Sequence, residues 1–209
     1  MRRYLVFALC IMAIETKAQV KYVSTINWGI NIGFDNYYND WSGEQDLYES
    51  DPFMGVKLDY IGSAQLNNKI AVGLGVGFRH LLTADYVIFG DYLESSSNNN
   101  RRNRFQAPVF THLKIRFIDK KVSPFLALSA GYSFSLQQRD ELESSLYRQS
   151  GVMGNANAGV NIRLKKGKSI AGGPLVEVTS YRATNSYKEV LSKSNYQIWQ
   201  IGFQASFAF

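Results

Sequence analysis

Among 209 residues there is one cysteine, Cys10, and it lies inside the first apolar run. The rest of the chain therefore has no thiol for a disulfide framework or a cysteine-ligated metal. Leu9 stands before it, where a lipoprotein signal places a small residue, so no lipid anchor is expected. Histidine is nearly as scarce, with only His80 and His112. A serine hydrolase needs nucleophile, base and orienting carboxylate within hydrogen-bond reach, and no G-x-S-x-G or comparable His-Ser spacing is present. His112 is expected to be a satisfied interior residue, and no enzyme activity, cofactor or metal is expected.

No stretch approaches the roughly 20 consecutive apolar residues of a helical membrane span. If the chain enters a membrane, it must do so with strands. An excess of one charge is nearly lacking as well. Arg2, Arg3 and Lys17 against Glu15 contribute +2 of the net +6, leaving +4. That remainder is spread over the chain without a nucleic-acid-binding motif, so no nucleic-acid partner is expected.

What the chain does have is apolar and aromatic content, 45% and 14%, enough for one folded domain. The opening "MRRYLVFALCIMAIETKA" places Arg2 and Arg3 before an apolar run from Tyr4 to Ile14 and small residues after it. This is the layout of a secretory signal peptide. Two units follow: a signal peptide at 1–18 and one domain at 19–209.

Eight stretches alternate with period 2: Lys21 to Asn36, Phe53 to Leu66, Lys69 to Leu81, Arg104 to Ile118, Ser123 to Gln138, Val152 to Leu164, Ser169 to Arg182 and Tyr196 to Phe209. Their connections also alternate, in kind. "NNK", "DKKV" and "KKGK" are tight polar turns, whereas "YYNDWSGEQDLYESDP", "LTADYVIFGDYLESSSNNNRRN", "RDELESSLYRQSG" and "ATNSYKEVLSKSN" are long. Short turns at one end and long loops at the other describe an all-β, eight-stranded antiparallel up-and-down transmembrane β-barrel.

Composition decides which face looks inward. Ile70, Val72, Leu74, Val76 and Phe78 alternate with Ala71, Gly73, Gly75, Gly77 and Arg79. The tail sets Trp199, Ile201, Phe203, Ala205, Phe207 and Phe209 against Gln200, Gly202, Gln204 and Ser206. A water-facing sheet surface favours side chains that cover the backbone, and glycine is depleted there. A face of glycine, alanine, serine and asparagine suits instead the narrow lumen of an eight-stranded barrel. The apolar face then looks out to lipid, and His80 falls on that side.

The same parity sends Asp35, Lys57, Asp59, Arg79, Lys114, Arg116, Arg163 and Glu177 into the lumen, with His112 near Lys114 and Arg116. Charges of both signs in a confined interior must pair or be hydrated. The expectation is an ion-pair and hydrogen-bond plug in place of an open channel. Pro108 and Pro174 fit a closed ladder poorly and are expected near strand ends or bulges.

With these features the chain resembles the small outer-membrane β-barrels of the porin-like superfamily, which includes OmpA-type and OmpX-type barrels. "APVFTHLKIRF" (Ala107 to Phe117) and "VSPFLALSAGYSF" (Val122 to Phe134) are similar to strands four and five of the outer membrane protein beta-barrel domain group, with its PorT-like members. The resemblance spans 19–209 and implies an integral protein of the bacterial outer membrane. It also implies that Trp199, Phe203, Phe207 and Phe209 form the aromatic signal read by the barrel-assembly machinery. The peptidoglycan-binding domain of OmpA-like proteins has no counterpart in this sequence.

In the loops, Asp40, Glu44, Asp46, Glu49 and Asp51 offer oxygen ligands but not EF-hand spacing, so a solvated acidic loop is the preferred reading. Arg101, Arg102 and Arg104 are candidate contacts for lipopolysaccharide phosphates, beside the preferred reading of a flexible, solvated loop. "TADYVIFGDYL" alternates and has two equal readings, a packed loop or a hairpin extension of the third strand that offers an edge to a partner protein. The expected function is a barrel with a side-chain-plugged lumen, acting as a structural, binding or secretion-accessory protein through its long loops. Expected partners are outer-membrane lipid and lipopolysaccharide, the assembly machinery, and an envelope or secretion protein. The alternative is a narrow porin for ions or very small solutes.

Overall fold

The computed structural model describes residues 20–41, 44–49, 53–83, 104–136, 148–187 and 190–209. The expected signal peptide, Arg101, Arg102, Asp51, most of "TADYVIFGDYL" and the connection at 137–147 lie outside them. The strands are β1 (Lys21–Trp41), β2 (Glu44–Glu49), β3 (Phe53–Gln65), β4 (Ile70–Thr83), β5 (Arg104–Arg116), β6 (Val122–Leu136), β7 (Arg148–Arg163), β8 (Ser169–Tyr187) and β9 (Val190–Ala208).

Every pairing is antiparallel between neighbours, and β9 returns to β1 to close the cylinder. The nine segments make eight staves, because β2 continues β3 along the same edge of β1. Gly33 pairs with Phe53 and Asn36 with Glu49, a shift of one residue across the break. Past the end of β9, the Phe209 N–H donates to the Ser24 carbonyl at 2.9 Å and the Ser24 N–H to the Phe209 carbonyl at 3.0 Å. Closure satisfies the backbone without a free edge, which is what a strand-built membrane protein requires.

Most of the alternating stretches coincide with strands, but two of the expected long loops are shorter than their composition suggests. The β8–β9 ladder runs on from Arg182–Asn195 to Tyr187–Val190, so most of "ATNSYKEVLSKSN" is paired strand. β1 likewise continues to Trp41 against β2. Strand pairing overrides the polar composition here, because serine, threonine and asparagine pair readily once a neighbouring strand presents its edge.

The two prolines correct the expectation more sharply, since they lie inside strands and not at ends or bulges. Val76–Val109 and Arg79–Gln106 flank a stretch of the β4–β5 ladder in which Pro108 and its partner Gly77 are unpaired. Asn157–Leu175 and Val160–Gly172 flank the equivalent gap at Pro174 between β7 and β8. Register is the same on both sides of each gap, so no residue has been inserted. Proline lacks the N–H for one neighbour only. The other ladder is intact, with Pro108 paired to Ser133 and Pro174 to Phe203. At Pro174 the loss is partly made good by the Asn157 side-chain amide, which donates to the carbonyls of Gly173 at 3.0 Å and Pro174 at 2.7 Å.

The short-turn end is ordered by its own polar groups. Asn67 Oδ1 accepts from the N–H groups of Lys69 and Ile70, both at 2.8 Å, an Asx-type turn. The turn after β7 is one 3-10 turn, Lys165–Gly167, with Lys166 at φ 59° and Gly167 at φ 76°.

Candidate functional site: the barrel lumen

Burial in this barrel is inverted relative to a water-soluble sheet. Leu74 (69% exposed), Val152 (65%) and Ile201 (60%) stand on the outside with Trp28, Phe34 and Phe203. The buried side chains include Asn31, Lys57, Asp59, Arg79, Asn157, Asn161, Glu177 and Gln200. His80 is on the outer face, stacked on Phe105 with ring centroids 4.3 Å apart.

The eight charges expected inside do not form one network. Four of them do meet: Lys57 and Asp59 from β3, Arg79 from β4 and Glu177 from β8. Lys57 Nζ lies 3.2 Å from Glu177 Oε2 and 3.6 Å from Asp59 Oδ2. Arg79 Nε donates to Glu177 Oε1 at 3.0 Å and Nη2 to Oε2 at 3.3 Å, and Nη1 is bonded to Asp59. Asn155 Nδ2 adds a long contact to Glu177 Oε2 at 3.5 Å. Arg79 is 1% exposed and Glu177 2%, so the group is buried from bulk solvent, and its formal charge is zero.

Parity explains why each residue points inward, and the register explains why they meet. Lys57 and Arg79 are direct cross-strand partners, a like-charge pair that is unfavourable alone. The two carboxylates neutralise it, one from the same strand and one from across the lumen. Gly77 makes room, since a carbon built at its Cβ position would sit 2.2 Å from Asp59 Oδ1.

The other four are elsewhere. Lys114 Nζ donates to Asn161 Oδ1 at 2.9 Å and lies 4.7 Å from the Phe125 ring centroid. Arg163 reaches out to Asp119 in the β5–β6 turn, and Asn68 Nδ2 donates to the same carboxylate at 2.8 Å. Arg116 is at the lumen mouth beside these groups. Asp35 holds a β1 position opposite Ile198, and nothing is described of its side chain. Arg104 is likewise described only as a strand position, opposite Leu81.

Sequence reading also missed an apolar part of the plug. Phe53, Leu81 and Ile198 pack together on the long-loop side of the ion pairs, and Ile61, Phe110 and Met153 form a second cluster in the lumen. The signal was present: Phe53 and Ile61 share parity with Gly55, Leu81 with Arg79, Phe110 with His112, Met153 with Asn157 and Ile198 with Gln200. The Phe53 ring lies over Gly33, where a Cβ would come within 2.1 Å of it. His112 Nδ1 is 3.0 Å from Ser129 Oγ, its direct β5–β6 partner. Among the described residues that interact with this pair, no carboxylate orients the imidazole.

Of the aromatic tail residues, Trp199, Phe203 and Phe209 are exposed on the outer face, and Phe207 stacks against Phe209 with centroids 5.9 Å apart.

The fold is shared with bacterial outer-membrane proteins of known structure. The outer membrane protein OprG from Pseudomonas aeruginosa superposes with a TM-score of 0.53 over 92% of this chain and 98% of its own, at 11% identity. Outer membrane protein AlkL, determined in DMPC lipid bilayers, gives a TM-score of 0.55 over 92% of this chain and 91% of its own, at 16% identity. No protein family matches the chain by sequence, and no curated protein does.

Proposed function

We propose that the chain is an integral outer-membrane barrel that does not conduct, and that it acts through its long-loop end as a structural, binding or secretion-accessory protein. The observation that carries this reading is the neutral, buried cluster of Lys57, Asp59, Arg79 and Glu177 across the lumen, with Phe53, Leu81 and Ile198 packed beyond it. An ion entering the lumen would have to displace groups whose unpaired charges cost several kcal/mol each to leave buried.

The outer-membrane location is supported by the apolar outer face, by strand lengths beyond the roughly 9–11 residues of a tilted span, and by the fold shared with outer-membrane proteins, one of them determined in lipid bilayers. In this reading a signal peptide at 1–18 directs export. Trp199, Phe203, Phe207 and Phe209 address the barrel to its assembly machinery, and Arg101, Arg102 and Arg104 contact lipopolysaccharide phosphates. The function is non-catalytic, with His112 and Ser129 as a satisfied interior pair.

Purified protein in planar bilayers tests the proposal. Silence at moderate voltage is expected. Steady, reproducible unitary conductance would overturn it in favour of the narrow porin.

A further inference from the structure

A cavity of about 240 Å³ occupies the short-turn end of the lumen. Among the described residues, seven of the eight staves contribute to its lining, every one except that of β6. Six described cationic side chains line it: Lys21, Lys69, Lys114, Arg116, Arg163 and Lys168. No aspartate or glutamate among the described residues does. The nearby Asp119 sits outside in the β5–β6 turn, already engaged by Arg163 and Asn68. The central ion pairs cannot neutralise these charges either, because that group is itself balanced.

A second feature is independent of the charge count. Asn161 lines the cavity, is 1% exposed, and accepts from Lys114 through Oδ1. An ammonium can only donate, so this contact fixes the amide orientation and leaves Nδ2 as the remaining donor of a residue that lines the cavity. That Nδ2 is buried and has no hydrogen-bond partner among the described residues. An unmade donor in a buried position is costly and is normally satisfied. Here it stands beside an ammonium and at the foot of a cationic mouth, and its natural complement is an acceptor carrying negative charge.

From this arrangement we infer that the short-turn mouth is a binding vestibule for a small, soluble, multivalent phosphate anion. The anion seats on Lys114 and the Asn161 amide and is clamped at the rim by Arg116. Guanidinium suits two phosphate oxygens at once, and the flexible lysines follow as point charges. The cavity is smaller than a typical drug-sized site, which favours a compact ligand such as a diphosphate over a large cofactor. Its walls are strand ends around the barrel axis, so access is from the aqueous end and not from the side, where lipid headgroups lie.

The experiment titrates inorganic pyrophosphate into the purified barrel in neutral maltoside micelles, followed by calorimetry and by phosphorus NMR. Saturable binding of one pyrophosphate per barrel is expected. Arg116→Gln, at the rim, should weaken it by about tenfold or more, as should Lys114→Met where that variant folds. Lys120→Gln with Lys121→Gln, which removes two turn cations that do not line the cavity, should leave affinity within about twofold. Absence of saturable binding overturns the inference. So does an equal loss in the Lys120/Lys121 variant, which would mean a diffuse field. Complete competition by added phosphatidylglycerol also overturns it, since the site would then belong to lipid headgroups.

Discussion

Arg79 and Glu177 meet across the full width of the barrel, from β4 and β8, which stand four staves apart in a ring of eight, and they are joined twice, at 3.0 and 3.3 Å. Both side chains are almost wholly withdrawn from bulk solvent. Removing one of a buried pair costs about 3–5 kcal/mol, most of it from the charge left behind. Glu177→Gln and Arg79→Met should each lower unfolding free energy in urea by that order. The double variant should recover most of the loss, because Lys57 and Asp59 remain as a neutral pair. A double variant as unstable as the two losses added together would show that the pair is not coupled.

Gly77 and Gly62 give a matched contrast. A Cβ at Gly77 meets Asp59 Oδ1 at 2.2 Å and Arg79 Nη1 at 2.8 Å, whereas one at Gly62 meets nothing within 4 Å. Gly77→Ala should destabilise by about 1–3 kcal/mol. Gly62→Ala should stay within about 0.5 kcal/mol. The temperature at which the folded gel band is lost reads both; similar values for the two would remove the steric argument.

Asp119 is held below the ordinary carboxylate range, chiefly by the hydrogen bond from Arg163 against a smaller opposing effect of desolvation, with Asn68 assisting. A depressed folded value means that the contact supports the turn above the ordinary carboxylate pKa. This support is lost as pH falls through the depressed value. Carbon NMR of the carboxyl should show Asp119 titrating at lower pH than a free aspartate. In Arg163→Gln its midpoint should rise; an unmoved midpoint would assign the shift elsewhere.

Trp199 stands on the outer face between Phe34 of β1 and Val178 of β8. With Trp28 and Trp41 replaced by phenylalanine, its fluorescence should be quenched strongly by brominated phospholipid and weakly by iodide. The reverse order would put this face in water and end the membrane reading.

Phe209 seals the wall to Ser24 through backbone atoms, and its ring stacks on Phe207. Phe209→Ala therefore keeps both sealing bonds. The protein refolded into detergent should be nearly as stable as the parent, while the folded fraction in cell membranes falls several-fold if the ring is the assembly signal. Unchanged assembly in cells would remove that role.

Alternation made the wall legible from sequence: Leu74 and Ile201 outside, Arg79 and Gln200 inside, each assigned by parity against small or polar neighbours. Parity carries no information about height or about what lies across the lumen. Lys57 and Arg163 have the same inward sense, but one lies in the central ion-pair group and the other at the mouth, bonded to a turn. The Arg79–Glu177 contact depends on closure, which sets residues 98 positions apart face to face. The mouth charges were illegible for a related reason. Lys21, Lys69, Lys114 and Lys168 are scattered in sequence, and only the hairpin register gathers them at one end. His112 and Ser129 share the same history, brought together by one β5–β6 pairing.

The gaps at Pro108 and Pro174 bear on how the wall responds to load. They fall on two of the eight junctions, β4–β5 and β7–β8, and so divide the circumference into an arc of three staves and an arc of five. Bending stiffness in a sheet comes from its continuous ladder, and at these two lines it is locally reduced. The wall is expected to yield first at these two interruptions, where the ladder is locally open, before it yields along its continuous junctions.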